Sequence, residues 1–210
     1  MNTYFFKKEK RLHLRGLCSQ NCMVTKEYID SVLENFSAGD ILVLQNEISN
    51  VPYLIERGHE IGMRVIFNPS PFEPSLLQLP LEILDYLILN EVEAAGFFGC
   101  DEPSEIISHK QKRYPSLKMV LTLGKEGCIY ADENDVISCP AFQVEAVDTT
   151  AAGDTFAGYF AAALAEEMDI QSALRRASAA SALAVSSMGA APSIPAKDRV
   201  SLALTTLKPY

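Results

Sequence analysis

The sequence predicts one α/β domain over residues 1–210, with a mostly parallel sheet flanked by helices on both faces. Three observations predict it. Short, continuously apolar runs read as strands buried on both faces. Segments with apolar residues at helical spacing fill the intervals between them. A chain of 210 residues, 48% of them hydrophobic, is long enough to bury a sizeable core.

The elements follow in order. Residues 11–17 alternate polar and apolar and suggest a strand, with nothing before it able to supply a neighbour. Thr25 to Phe36 carries Tyr28, Ile29, Val32, Leu33 and Phe36 at helical spacing and stops at Gly39. Ile41-Leu42-Val43-Leu44-Gln45 is the first fully buried strand, and a helix over Val51 to Ile61 leads to the second, Arg64-Val65-Ile66-Phe67. Tyr86-Leu87-Ile88-Leu89 is the third, followed by a helix that opens at Asn90-Glu91-Val92-Glu93. A helix over Pro103 to Arg113 precedes a fourth strand, Lys118 to Leu123. Cys128 to Ala131 and a run near Val136-Ile137 flank Asp132-Glu133-Asn134-Asp135 and read as a hairpin. Two Ala-rich helices, Gly153 to Glu167 and Ile170 to Met188, a loop over residues 189–195 and a last helix from Ala196 to Leu207 complete the chain.

The net charge of −9 argues against a nucleic-acid or anionic-membrane partner. No apolar stretch approaches the roughly 20 residues needed to span a bilayer, and Met1 to Lys8 is charged too early for a signal peptide. A cytoplasmic protein with a small-molecule ligand is the expectation. Cys18, Cys22, Cys100, Cys128 and Cys139 are odd in number and lack Cys-x-x-Cys spacing, which points to free thiols in a reducing compartment.

The stretch with most chemical content is Val147-Asp148-Thr149-Thr150-Ala151-Ala152-Gly153-Asp154-Thr155-Phe156. An apolar approach turns through small residues into a helix. Such a turn aims free backbone N–H groups at one spot, where the helix N-terminus adds about half a positive charge. Ala151, Ala152 and Gly153 lack bulk, so a phosphate can approach closely, and Asp154 supplies a carboxylate at its mouth. Asp148 and Asp154 are also ordinary capping residue types. Asn90 and Glu93, three apart just past a strand, suit either a helix cap or magnesium held through water. Thr122-Leu123-Gly124-Lys125-Glu126-Gly127 places two glycines at a strand end, as a plain turn or as room for a nucleotide. Neither a Walker loop nor a six-residue dinucleotide fingerprint occurs.

Asp-Thr-x-x-Ala-Gly-Asp at residues 148–154 closely resembles the C-terminal signature of the PfkB-type carbohydrate kinases, the ribokinase-like superfamily. Asn-x-x-Glu at 90–93, Thr-Leu-Gly-x-x-Gly at 122–127 and Asn-Pro-Ser-Pro at 68–71 resemble further motifs of that family. The resemblance implies ATP-dependent phosphorylation of a small, ribose-like sugar, with Asp154 as catalytic base and the N–H groups of Ala151, Ala152, Gly153 and Asp154 as anion hole. It implies that Asn90, Thr122, Leu123, Gly124, Lys125, Glu126, Gly127, Gly153, Asp154 and Ser178 meet the nucleotide, and that Glu93 serves Mg2+. It implies that Asp148 and Thr150, with Ala184, Ser187, Gly189 and Ser193, hold a monovalent cation, usually K+. Glu47 matches a substrate-contacting Glu of ribokinases; a solvated loop acid fits the same position.

The resemblance runs from about residue 12 onward and covers the last two-thirds of a ribokinase. The family's opening strand, its sugar-gripping Asp and Gly-Gly pair and its β-sheet lid have no counterpart here, so a truncated fold is expected. A homo-oligomer or a partner chain is then expected to cover the open sheet edge. Alternatives remain: an impaired nucleotide-binding remnant, one half of a split kinase, or a kinase of a nucleoside or a vitamin.

Overall fold

The computed structural model describes residues 24–189 and 193–210, and residues 3–6 and 11–14 by their backbone. They gather into two compact units, Met1–Leu121 with Tyr130–Asp135, and Thr122–Ile129 with Val136–Tyr210.

In the first unit β1 (Thr3–Phe6), β2 (Arg11–Leu14), β3 (Ile41–Gln45), β4 (Arg64–Asn68), β5 (Tyr86–Asn90) and β6 (Lys118–Thr122) lie in the order β2-β1-β3-β4-β5-β6. β3 pairs parallel with β4, and β4 with β5. β1 corrects the sequence reading. It precedes the alternating strand and pairs antiparallel with both β2 and β3, so β2 does have a neighbour. β2 ends at Leu14; residues 15–17 of the expected strand lie outside the described residues.

The parallel strands are covered on both sides, which is why their sequences do not alternate. Ile41 to Leu44, Val65 to Phe67, Leu87 to Leu89 and Met119 to Leu121 are all buried. α1 (Lys26–Leu33) starts at Thr25, whose hydroxyl accepts from the Tyr28 N–H, and buries Ile29 and Leu33. α2 (Val51–Ile61) packs on β3 and β4, and at Gly58 a Cβ would come within 2.9 Å of Leu42 and 3.0 Å of Val65. That close approach explains a glycine inside a helix. α3 (Glu91–Phe98) and α4 (Pro103–Arg113) follow, α4 with proline in its first turn. α4 also buries Lys110 completely; its ammonium donates to the Pro115 carbonyl at 3.2 Å, and burial lowers its pKa. Nearby, the Tyr130 hydroxyl donates to Asp132 at 2.7 Å.

The second unit contains α5 (Ala152–Ala165), α6 (Ile170–Val185) and α7 (Lys197–Thr206), together with β8 (Val136–Cys139) and the start of β7 (Cys128–Ala131), its neighbour in the sheet. α5 buries Ala157, Ala161, Ala162 and Ala163, and α6 buries Ala173, Ala177, Ala179 and Ala180. Side chains this short allow helices to pack closely. The end of α5 is held by charge. Arg176, itself buried, donates to Glu166 at 2.6 Å, and Lys197 donates to the same carboxylate at 3.0 Å. No helix among the described residues is long and apolar enough to cross a membrane.

The Arg176 guanidinium, and after it the opposing cost of burial and the help of Lys197, bring Glu166 down from an ordinary 4.5 to about 2. A depressed carboxyl stabilises the fold fully above its unfolded value and loses that contribution as pH falls toward 2. Urea midpoints of wild type and Glu166→Gln are therefore expected to differ most at neutral pH and to converge as pH falls from 4.5 toward 2. A constant gap across that window would show that the ion pair is not the source.

Candidate active site

The carboxyl ends of the parallel strands in the first unit are tied by side-chain amides. Gln45 donates to the Asn68 carbonyl oxygen at 3.3 Å, and Asn68 donates to the Ile88 backbone carbonyl at 2.8 Å. Asn46 bonds the next loop through its backbone N–H to Ser70 (3.2 Å) and its side chain to Pro71 (2.9 Å). Glu47 follows, exposed. Loops at such strand ends are where open α/β sheets bind ligands.

Asn90 and Glu93 form a reciprocal capping box. The Asn90 side chain accepts from the Glu93 N–H at 2.9 Å, and the Glu93 carboxylate accepts from the Asn90 N–H at 3.0 Å. Glu93 is only 4% exposed. Burial raises its pKa, while the Asn90 N–H and the Ser70 side chain pull it back down. The capping alternative at 90–93 is thus realised in the fold. Among the described residues no three His, Cys, Asp or Glu side chains cluster as a metal site. A magnesium ion carried in by phosphate oxygens and water needs no such cluster.

In the second unit, α5 begins without a side-chain cap, because its N-cap is Ala151. The Ala152 N–H is occupied by the Thr149 carbonyl at 3.1 Å. The remaining first-turn positions are Gly153 and Asp154, both exposed, and a Cβ on Gly153 would meet nothing within 4 Å. This end of α5 opens on a cavity of about 330 Å³ lined by Thr122, Gly124, Lys125 and Gly127 at one side and by Ala152, Gly153 and Ser178 at another. Its lining is mainly apolar, completed by Phe142, Val144, Phe156 and Tyr210. Small-molecule sites of roughly 300–1,000 Å³ have this character. Leu123, Glu126 and Asp154, expected at the nucleotide, are not among the lining residues; Asp154 is exposed in the turn beside it. Leu123 instead closes the turn, its N–H donating to the Gly127 carbonyl at 2.8 Å. Gly127, at φ 101°, is required there, since a Cβ would sit 2.1 Å from the Cys139 carbonyl oxygen.

Asp148 binds the approach loop together. One carboxylate oxygen accepts from the Thr150 N–H (3.0 Å) and hydroxyl (2.5 Å), and the other accepts from the Gly189 N–H at 3.0 Å. Those donors, Thr150's hydroxyl first, hold its pKa below the ordinary value. The N–H groups of Val147 and Asp148 both donate to the Val185 carbonyl, and Ser187 donates to that of Ala184. Asp148, Thr150, Ala184, Ser187 and Gly189 therefore come together; Ser193 is buried farther along, past residues 190–192, which lie outside the described ones.

Comparison with known proteins accounts for this arrangement. The pattern described as pfkB family carbohydrate kinase matches residues 24–197. The chain belongs to the pfkB family of carbohydrate kinases. It is 38% identical over 179 residues to a ribokinase of Bacillus subtilis, covering 84% of this chain and 59% of that one. It is 32% identical over 190 residues to a ribokinase of Lactococcus lactis, covering 90% and 61%. Among solved structures, a ribokinase of Thermotoga maritima superposes with a TM-score of 0.73 at 33% identity, covering 94% of this chain and 65% of that one. The chain thus spans about 60% of the length of its curated relatives.

Sequence reasoning missed Ser70, Ser181 and Thr155. Ser181 donates to the Ala152 carbonyl at 3.1 Å and so fixes the start of α5; only the packing of α6 on α5 reveals it. Thr155, next to Asp154, is 2% exposed, and its hydroxyl is the one buried side-chain polar atom among the described residues without a hydrogen-bond partner. Leaving a buried hydroxyl unpaired costs about 1–3 kcal/mol. The near-isosteric Thr155→Val is therefore expected to stabilise the protein by about 1 kcal/mol in urea denaturation. A loss of stability would mean that the hydroxyl has a partner after all.

Proposed function

We propose that this chain takes part in transferring the γ-phosphoryl group of ATP to a hydroxyl of a small, ribose-like sugar, with Asp154 as general base. One observation carries the reading: an uncapped helix N-terminus made of small residues opens on a cavity of small-molecule size and presents a carboxylate in the same turn. The complexes named for similar structures support the substrate classes. The ribokinase of Arabidopsis thaliana, 25% identical with a TM-score of 0.72, is complexed with ribose and ATP, and that of Cryptococcus neoformans, 27% identical with a TM-score of 0.70, with ADP.

In the proposed reaction the sugar oxygen forms a bond to the γ-phosphorus, the bond to the ADP oxygen breaks, and Asp154 accepts the hydroxyl proton. The first-turn amides, Gly153 foremost, meet the charge on the transferring group, and they need no reorganisation because the helix already aims them. Thr122, Gly124, Lys125, Gly127 and Ser178 are proposed to wall the nucleotide, and Glu47 to contact the sugar. Glu93 and Asn90 would meet magnesium through water, and the ion would neutralise phosphate charge. Asp148, Thr150, Ala184, Ser187, Gly189 and Ser193 would hold a monovalent cation behind the helix N-terminus; Asp148 already ties the 147–150 loop to Gly189.

Asp154→Asn is expected to lower sugar-dependent ADP release by at least about 100-fold, as loss of a general base does, while ATP affinity stays within a few-fold. Ribose, deoxyribose and fructose form the acceptor panel, and calorimetry reads ATP binding. A variant retaining more than a tenth of wild-type turnover would remove Asp154 from the role. Wild-type protein that binds ATP but turns over no sugar would favour a nucleotide-binding protein instead.

A further inference from the structure

Beside the cavity lies a pair of thiols that the proposed reaction does not use. β7 and β8 are joined through residues 132–135, where the Asp132 N–H donates to the Asp135 carbonyl at 3.0 Å. Counting outward from that bond sets Cys128 opposite Cys139. Directly opposed residues of antiparallel strands have Cα atoms about 4.5–5.5 Å apart, within the roughly 4.4–6.8 Å that a disulfide spans. The side chains agree. Both sulfurs approach the Ser178 hydroxyl, Cys128 at 3.8 Å and Cys139 at 3.9 Å, so they leave the hairpin on the same side. Each thiol also shifts the acidity of the other.

The pair is built into the cavity wall. Ser178 lines the cavity, as do Gly127, next to Cys128 in sequence, and Ala141, two residues past Cys139. Gly127 is pressed against the Cys139 carbonyl, so any shift of one strand end against the other moves the wall. Cys128 and Cys139 are 2% and 3% exposed, which excludes bulky disulfide reagents and leaves access to oxidants not much larger than water.

We propose that Cys128 and Cys139 form a reversible dithiol–disulfide pair, oxidised by small hydroperoxides, whose closure reshapes the wall of the adjoining cavity. Cys139 is the attacking sulfur, because its neighbour Cys128 lowers its pKa to about 7, while Cys128 itself is pushed up. The Cys139 thiolate attacks a peroxide oxygen, the O–O bond breaks, and an alcohol (water, from hydrogen peroxide) leaves, with Cys139 as its sulfenic acid. The Cys128 sulfur then attacks the Cys139 sulfur and expels hydroxide, which takes the Cys128 proton as water. Two thiols and one hydroperoxide thus give one disulfide, one alcohol and one water. In the disulfide the sulfurs lie about 2 Å apart and have no hydrogen to donate, so the contacts of both with the Ser178 hydroxyl must rearrange. The effect on ATP rests on the functional reading above; the disulfide itself does not.

The test uses the full chain with Cys18, Cys22 and Cys100 replaced by serine, treated with hydrogen peroxide and then alkylated. Cleavage at the acidic residues between the cysteines, followed by mass spectrometry, is expected to find two peptides joined through Cys128 and Cys139 and separated by dithiothreitol. Amide hydrogen exchange around Gly127 and Ala141 is expected to change at least threefold on oxidation and to revert on reduction. ATP affinity is expected to fall at least fivefold in the oxidised form and to stay unchanged in Cys139→Ala treated the same way. Thiols that remain alkylatable after peroxide treatment that oxidises Cys100 in the parent chain, or exchange that is equal in both forms, would overturn the pair. Both readouts need no nucleotide, so failure of ATP to bind the reduced form would sink the functional reading alone.

Discussion

The close packing of α5 on α6 is the constraint on which the second unit depends. An anion site made from backbone N–H groups has no side chain to adjust, so its aim is set by where the helix lies. Here that position follows from the small residues buried along both helices and from one hydroxyl, Ser181, that grips the Ala152 carbonyl at the first residue of α5. At the other end Arg176 and Lys197 converge on Glu166. A helix fixed at both ends presents its first turn in one orientation. The strand-like approach is fixed in the same manner, through the Val185 carbonyl and the Asp148 carboxylate.

The first unit solves a different problem. Its strands are buried on both faces, so polar groups are confined to their ends, and there they satisfy one another. Gln45, Asn68 and the Ile88 carbonyl form one chain of hydrogen bonds, Asn46 bonds the Ser70 carbonyl, and Asn90 and Glu93 cap each other. Glu93 occupies an intermediate state, buried enough for its charge to be costly yet given donors that favour it. A carboxylate so placed caps its helix and still has an incentive to meet a cation.

Much of this was legible in the chain. The strands at 41–45, 64–68, 86–90 and 118–122 and the helices at 51–61 and 103–113 carry their own signals, continuous apolar runs and helix starts marked by proline, because each is decided locally. β1 was not legible, since a short strand beside a charged segment has no periodicity to detect, and only pairing with β3 defines it. The residues around the second unit's cavity were legible as motifs: Thr122, Gly124, Lys125, Gly127, Ala152, Gly153 and Ser178 all line it. The partners that hold them were not. Ser181, Thr155 and the Cys128–Cys139 pair depend on which faces of helix and hairpin meet, and no single-chain spacing encodes that. Leu123 and Glu126 fall the other way: the motif includes them, but the turn uses them to close itself rather than to face the cavity.

The alanine surfaces of α5 and α6 have a consequence for variation. A large core residue can often be exchanged for another of similar volume, because neighbouring side chains repack around it. Where the buried side chain is a single methyl group there is little to repack, so an added carbon is taken up by moving the backbone. Positions such as Ala157, Ala161, Ala177 and Ala180, which look the most interchangeable in the chain, are therefore the ones with least freedom to drift. Neutral substitutions should gather instead on exposed faces, around Leu202 and Tyr28, where size carries no geometric signal.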